Sequence, residues 1–170
     1  MSNERFKNTN EEAKGKSFGE FLKWTFTNKT PEPIAIETSD DWESLHVDSK
    51  NYLVWIGHAT YLIQKDGLTV LTDPVFSNRA SPVRFAGPKR LIPPAIPMEK
   101  LPKIDVITVS HNHYDHLDMR SLKKIHKLNP EAFFLVPMGD KRRLEKAGIS
   151  NVHEFLWWEG IEVKDSKFTF

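Results

Sequence analysis

Apolar residues recur along this chain at two periods, and the switches between them mark its elements. Phe18, Phe21, Leu22 and Phe26 fall on one face of a helix over residues 17–26, with Ser17 placed to cap it. Ahead of it, residues 1–16 are polar and charged and read as a disordered lead. Behind it, Thr30-Pro31-Glu32-Pro33 breaks the helix and opens a linker. A period of two then takes over. Residues 52–56 and 61–64 read as paired strands, and Asp66-Gly67 as the hairpin turn into a third, 68–72. Residues 75–102 are rich in proline and read as a long loop. The run 104–109, apolar and β-branched, predicts a buried strand. Asp118 caps a helix over 119–128, with Leu122, Ile125 and Leu128 as its buried stripe and His126 on the solvent side. A buried strand at 132–136, a short helix at 140–147 closed by Gly148, a strand at 152–158 and a last strand begun at 167–170 complete the pattern. Strands alternating with helices predict a layered α/β fold.

Composition narrows the picture. At 170 residues and 39% hydrophobic content the chain is long enough for one core. Its formal charge of +1, with cations spread among nearly as many anions, excludes nucleic acid as the expected partner. There is no cysteine, so a disulfide framework and a thiolate metal site are both ruled out, and any metal is held by nitrogen and oxygen. No run approaches the roughly twenty apolar residues of a membrane span, and residues 1–16 do not read as a secretory signal. A cytoplasmic protein, free or peripherally bound to a membrane, is the expectation.

The candidate chemistry sits after the strand at 104–109. His111, His113, Asp115 and His116 follow the pattern His-x-His-x-Asp-His. Side chains two apart on an extended backbone point the same way, so His111 and His113 suit one metal ion as neutral imidazoles. The bend toward the next helix turns Asp115 and His116 to a neighbouring position, suited to a second ion. Two nearby metals clamp the attacking and leaving oxygens of a hydrolysis. The other reading is a histidine-rich metal sink without chemistry.

This motif resembles the metal-binding signature of the metallo-β-lactamase superfamily. The Gly57-His58-Ala59-Thr60, Thr72-Asp73-Pro74, Gly87-Pro88-Lys89-Arg90 and 110–118 blocks, in that order, are similar to its N-acyl-phosphatidylethanolamine-hydrolysing phospholipase D group. The resemblance implies an αββα sandwich, of which residues 46–170 supply the N-terminal part and residues 1–45 form an extension. It implies two zinc ions, Asp115 as a catalytic group beside the water, and a phosphodiesterase acting on N-acyl phosphatidylethanolamines. Lactonases of phosphorylated sugars in the same superfamily are the alternative, so the expected partner is a phospholipid or a small phosphorylated substrate.

Other residues acquire two readings each. Asp73 either steadies the metal loop from behind, as the resemblance implies, or starts a turn with Pro74. His58 is a turn histidine, or a supporting or substrate-contacting group. Arg79, Arg84, Lys89 and Arg90 receive a phosphate or are solvated surface. The helix at 17–26 packs on the domain, or dips Phe21 and Trp24 into a lipid interface.

In the resembled family, the segment matching 167–170 leads to a third histidine, and a bridging Asp and a last His come later. The chain carries His111, His113, Asp115 and His116 of that ligand set. The expectation is therefore a fragment of a longer enzyme, inactive alone, completed by a C-terminal half or paired as a homodimer through an unfinished sheet. A half-domain that binds metal or a partner without turnover is the rival from outside enzymology.

Overall fold

The computed structural model describes residues 17–27, 32, 36–37, 39–45, 51–164 and 166–169. The lead at 1–16 lies outside these, as does the break at 30–33 apart from Glu32. The chain forms two compact units, Met1–Ile34 and Ala35–Phe170.

In the first unit, helix α1 spans Phe18–Thr27. Ser17 starts it through a reciprocal cap. The Glu20 amide donates to Ser17 Oγ at 3.3 Å, and the Ser17 amide donates back to Glu20 Oε2 at 2.7 Å. Each bond satisfies an amide that the first helical turn leaves without a carbonyl partner. No described helix is long and apolar enough to cross a membrane.

The second unit begins with helix α2, Trp42–Leu45, a turn that the periodicity does not signal. Strands β1 (Tyr52–Gly57), β2 (Thr60–Lys65) and β3 (Leu68–Thr72) form an antiparallel meander. Asp66 (φ 51°) and Gly67 (φ 81°) turn β2 into β3, in the left-handed conformation that hairpin turns of this length require. The long loop follows, with a short 3-10 turn at Met98–Lys100. Then come β4 (Val106–Thr108), α3 (Met119–Leu128), β5 (Phe133–Pro137), α4 (Lys141–Lys146) and β6 (Val152–Phe155). The sheet order is β1-β2-β3-β4-β5-β6, and β3 to β6 run parallel. A hairpin of β7 (Gly160–Val163) and β8 (Ser166–Thr169) forms a separate two-stranded sheet.

Alternation along the central strands sends side chains to two cores. Leu62, Leu71, Ile107, Phe134 and Val136 meet Leu122 and Ile125 of α3, Leu144 of α4 and Trp42 of α2 on one face. Val70, Val106 and Leu135 meet Ile161, Val163 and Phe168 of the hairpin on the other. Burial of each large side chain contributes about 1.5–3 kcal/mol, so the sheet is held from both sides. The layered α/β expectation holds: helices cover one face, and the hairpin begins a second sheet over the other. Lys164 Nζ reaches Asp105 Oδ1 at 2.5 Å and ties the hairpin to the entry of β4.

Three local expectations need correction. The strand at 152–158 ends at Phe155, because the Leu156 amide donates to Glu159 Oε2 at 2.9 Å and Trp158 takes a φ of 70°, closing a turn. Leu128 is 56% exposed and outside the stripe of α3, whose inward positions are Ser121, Leu122 and Ile125. His126 is half-buried, its ring 5.7 Å from that of Phe134, instead of facing solvent. Asp118 caps α3 as its position suggested, accepting from the Arg120 amide at 3.1 Å.

Candidate metal centre

Parallel strands leave their C-terminal ends on one edge of a sheet, where loops converge. Here β3 delivers Asp73 and β4 delivers the loop 109–118. Register places them side by side: Thr72 pairs with Thr108, and the Asp73 amide donates to the Thr108 carbonyl at 2.8 Å. Asp73 turns there with a φ of 37°, a conformation that a short polar side chain tolerates.

The Asp73 carboxylate grips the loop at both ends. Oδ1 accepts from the Ser110 amide at 2.7 Å, and Oδ2 accepts from Ser110 Oγ at 2.8 Å. Oδ2 also lies 2.9 Å from His116 Nδ1. With the proton of that pair on Nδ1, His116 Nε2 keeps its lone pair for another partner. Between these ends a tight turn folds back on itself, with the His116 and Leu117 amides donating to the His113 carbonyl at 3.0 and 2.7 Å. Leu117, 3% exposed, anchors the turn in the core.

The four motif residues come together. His111 Nε2 is 3.1 Å from His113 Nδ1, and the His111 and His116 ring centres are 3.9 Å apart. His116 Nε2 lies 3.8 Å from Asp115 Oδ2. His58 joins them from the β1–β2 turn, its Nε2 3.1 Å from Asp115 Oδ2. His58, Asp115 and His116 each offer a donor atom, all within 4.8 Å of one another. The sequence left His58 between a turn residue and a supporting one; the structure puts it among the candidate ligands themselves. Three features hold it there. Gly57 takes a φ of 141° that glycine adopts without strain, Trp55 Nε1 donates to the His58 carbonyl at 2.9 Å, and Thr60 Oγ1 donates to the Asp73 carbonyl at 2.7 Å.

Electrostatics favour ligand-ready protonation states. Burial lowers the His111 pKa, and the neighbouring His116 and His113 lower it further, against a smaller opposing pull from Asp73 and Asp115. Burial raises the Asp115 pKa, but a backbone hydrogen bond and the His116 and His58 imidazoles outweigh it and leave the carboxyl below its usual range. Imidazole nitrogens and a carboxylate, with His111 biased toward its neutral form and Asp115 toward its ionised one, are a donor set that fits a divalent metal.

Two of the long loop's cations brace its own backbone. Arg79 Nη1 donates to the Gly87 carbonyl at 2.6 Å, and Arg90 donates to the carbonyls of Val75 and Ser77. Arg84 is exposed. A cavity of about 690 Å³ lies between this loop, α2 and β1; Trp42, Leu45, Val54 and Leu91 contribute to its walls, and Lys89, Arg90, His58 and Asp115 line it as well. Sequence reasoning missed Ser110 as the link between Asp73 and the loop. It has no local signal, since a short polar residue near a motif is equally at home in solvent.

Comparison with known proteins bears on this arrangement. The profile described as "Beta-lactamase superfamily domain" matches residues 69–170. N-acyl-phosphatidylethanolamine-hydrolyzing phospholipase D 1 of Caenorhabditis elegans is 43% identical over 141 residues, covering 79% of this chain and 39% of that protein. A UPF0173 metal-dependent hydrolase of Hyperthermus butylicus is 39% identical over 66 residues, covering 39% of this chain and 24% of its own length. The solved structure of CmlA, a diiron beta-hydroxylase from Streptomyces venezuelae, superposes with a TM-score of 0.53 at 25% identity, over 69% of this chain and 23% of that one. The chain thus spans well under half the length of these relatives. With a profile match over more than half of its residues, it belongs to the β-lactamase superfamily domain family.

Proposed function

We propose that this chain carries the metal-binding core of a metal-dependent phosphodiesterase that acts on an amphiphilic phospholipid of the N-acyl-phosphatidylethanolamine type. The observation that carries the reading is the position of the cluster: His58 and Asp115 line the same 690 Å³ cavity as Trp42, Leu45, Val54 and Leu91. Hydrocarbon walls favour an acyl chain by removing it from water, while Lys89 and Arg90 supply positive charge for a phosphodiester. A phosphorylated-sugar lactone would leave those walls against a polar ligand. The name of the C. elegans relative supports the same substrate class.

In this reading His111 and His113 would hold one zinc ion, and Asp115 and His116 a second, with His58 beside them. When bound, the metal supplies Lewis acidity toward the phosphoryl group and lowers the pKa of the attacking water. Asp115, ionised at neutral pH, accepts a hydrogen bond from that water and orients it. Asp73 fixes the His116 tautomer. A lipid substrate brings the protein to a membrane surface as a peripheral protein, and we place it on the cytoplasmic side.

The test is metal content of the purified chain by plasma mass spectrometry, beside a variant with His111→Ala and His113→Ala. Zinc retained by the parent and lost from the variant is the expected result. Equal metal in both would remove the site. Loaded chain, supplemented with a chain that supplies the C-terminal half, is then offered N-acyl phosphatidylethanolamine in vesicles and a phosphorylated-sugar lactone, and turnover of the lactone alone would overturn the substrate assignment.

A further inference from the structure

The first turn of α3 holds a second piece of chain besides its own helix. Asp118, which follows the metal loop, is 8% exposed and uses its two carboxylate oxygens differently. Oδ1 accepts from the Arg120 amide, the cap already described. Oδ2 instead accepts from the Ser77 amide at 3.0 Å and from Ser121 Oγ at 2.6 Å. Ser121 Oγ in turn accepts from the Phe76 amide at 2.8 Å. Two successive amides of the segment that follows β3 therefore end on α3. Arg120 holds the same loop further on, its Nη2 donating to the Pro82 carbonyl at 3.1 Å.

The segment held in this way is the seat of Arg90. The Arg90 amide donates to the Asn78 carbonyl at 2.8 Å, its Nε donates to the Ser77 carbonyl at 3.4 Å, and its Nη2 donates to the Val75 carbonyl. Ser77 thus has its amide on Asp118 and its carbonyl on Arg90. The third guanidinium nitrogen, Nη1, lies against Gly57, where an added Cβ would stand 3.5 Å from it. Gly57, His58, Ser77 and Arg90 all line the cavity. A planar guanidinium fixed at two of its nitrogens presents the third in one direction, which an ammonium on a flexible stem does not.

We propose that Asp118 is a positioning residue that acts through Ser77 to hold Arg90 with Nη1 toward the cavity, where it receives an anionic oxygen of a phosphorylated amphiphile. The inference rests on the phosphodiester reading of the cavity. The carboxylate that closes the metal loop then also sets the place of the anion-binding cation relative to that loop.

The experiment follows tryptophan fluorescence, to which Trp42 and Trp55 of the cavity wall contribute, while decyl phosphate or decanol is added to the chain in chelator. The parent is compared with Asp118→Ser, Ser121→Ala, Arg90→Lys and the Asp118→Ser, Arg90→Lys double variant. Serine caps a helix about as well as aspartate, so Asp118→Ser keeps the start of α3 and removes the oxygen that holds Ser77. Asp118→Ser and Arg90→Lys are each expected to weaken decyl phosphate by about tenfold, the scale of one hydrogen bond to a charged group, with decanol unchanged. The double variant should be no worse than the worse single one. Ser121→Ala, the milder change, should act in the same direction by less. Removal of a negative charge would by itself strengthen an anion, so the expected loss has the sign opposite to simple electrostatics. Equal weakening of both probes would leave Asp118 a structural role alone and overturn the proposal, as would additive losses in the double variant or unchanged decyl phosphate affinity in Asp118→Ser and Ser121→Ala. Equal affinity of the parent for the two probes would sink the phosphodiester reading instead. Faster amide exchange at Ser77 and Arg90 in Asp118→Ser would then support the positioning role, and unchanged exchange would overturn it.

Discussion

Asp73 Oδ2 and His116 Nδ1, 43 residues apart in sequence, lie 2.9 Å apart at the ends of adjacent parallel strands. The contact sets which imidazole nitrogen carries the proton and which is left for a ligand. Asp73→Ala is therefore expected to cost about ten- to a hundredfold in metal affinity. It also leaves the Ser110 amide and hydroxyl without their acceptor, a loss of about 1–3 kcal/mol in stability. A metal titration and a urea denaturation on the same preparation measure both.

His58 enters the cluster from a different hairpin, so its removal tests whether the site extends beyond the loop. His58→Asn suits this purpose, since asparagine tolerates the φ of 52° found there. The variant should retain the fold, with an unchanged circular dichroism spectrum, and bind cobalt(II) with an altered visible spectrum. A spectrum identical to that of the parent would remove His58 from the ligand set.

The pH dependence of the metal-stripped chain has a definite sign. Burial and the neighbouring imidazoles hold the His111 pKa below 6.5, so the unfolded state binds the proton more tightly than the folded one. The contribution of this residue to stability is then fully present above about pH 6.5 and is lost as pH falls through the window beneath it. Urea denaturation at intervals from pH 8 to 5 in chelator should show a steeper decline for the parent than for His111→Ala. Metal affinity should fall over the same range, because protons compete for the imidazoles.

The two sides of α3 make a stability comparison. Leu122 is fully buried, and Leu122→Ala should cost about 2–5 kcal/mol. Leu128, 56% exposed, should cost within about 0.5 kcal/mol when changed to alanine. Paired denaturation curves decide it. Similar losses at both positions would restore Leu128 to the buried stripe.

Much of this protein was legible in the chain itself. Strand patterning marks β1 to β3, and continuous apolar runs mark β4 and β5, to within two residues, because a strand buried on both faces needs apolar residues throughout. Asp66-Gly67 specifies its hairpin because few other pairs enter the left-handed region so easily. The His-x-His-x-Asp-His spacing points to the candidate metal loop because its donors are close in sequence and therefore close in space. Tertiary structure decided the rest. Whether Leu128 is buried depends on where α3 meets the sheet, and whether residues 156–158 continue β6 depends on a turn closed by Glu159. The partnerships of Asp73 with His116 and of His58 with Asp115 each join residues from different strand ends, and only the order and register of the sheet bring them together.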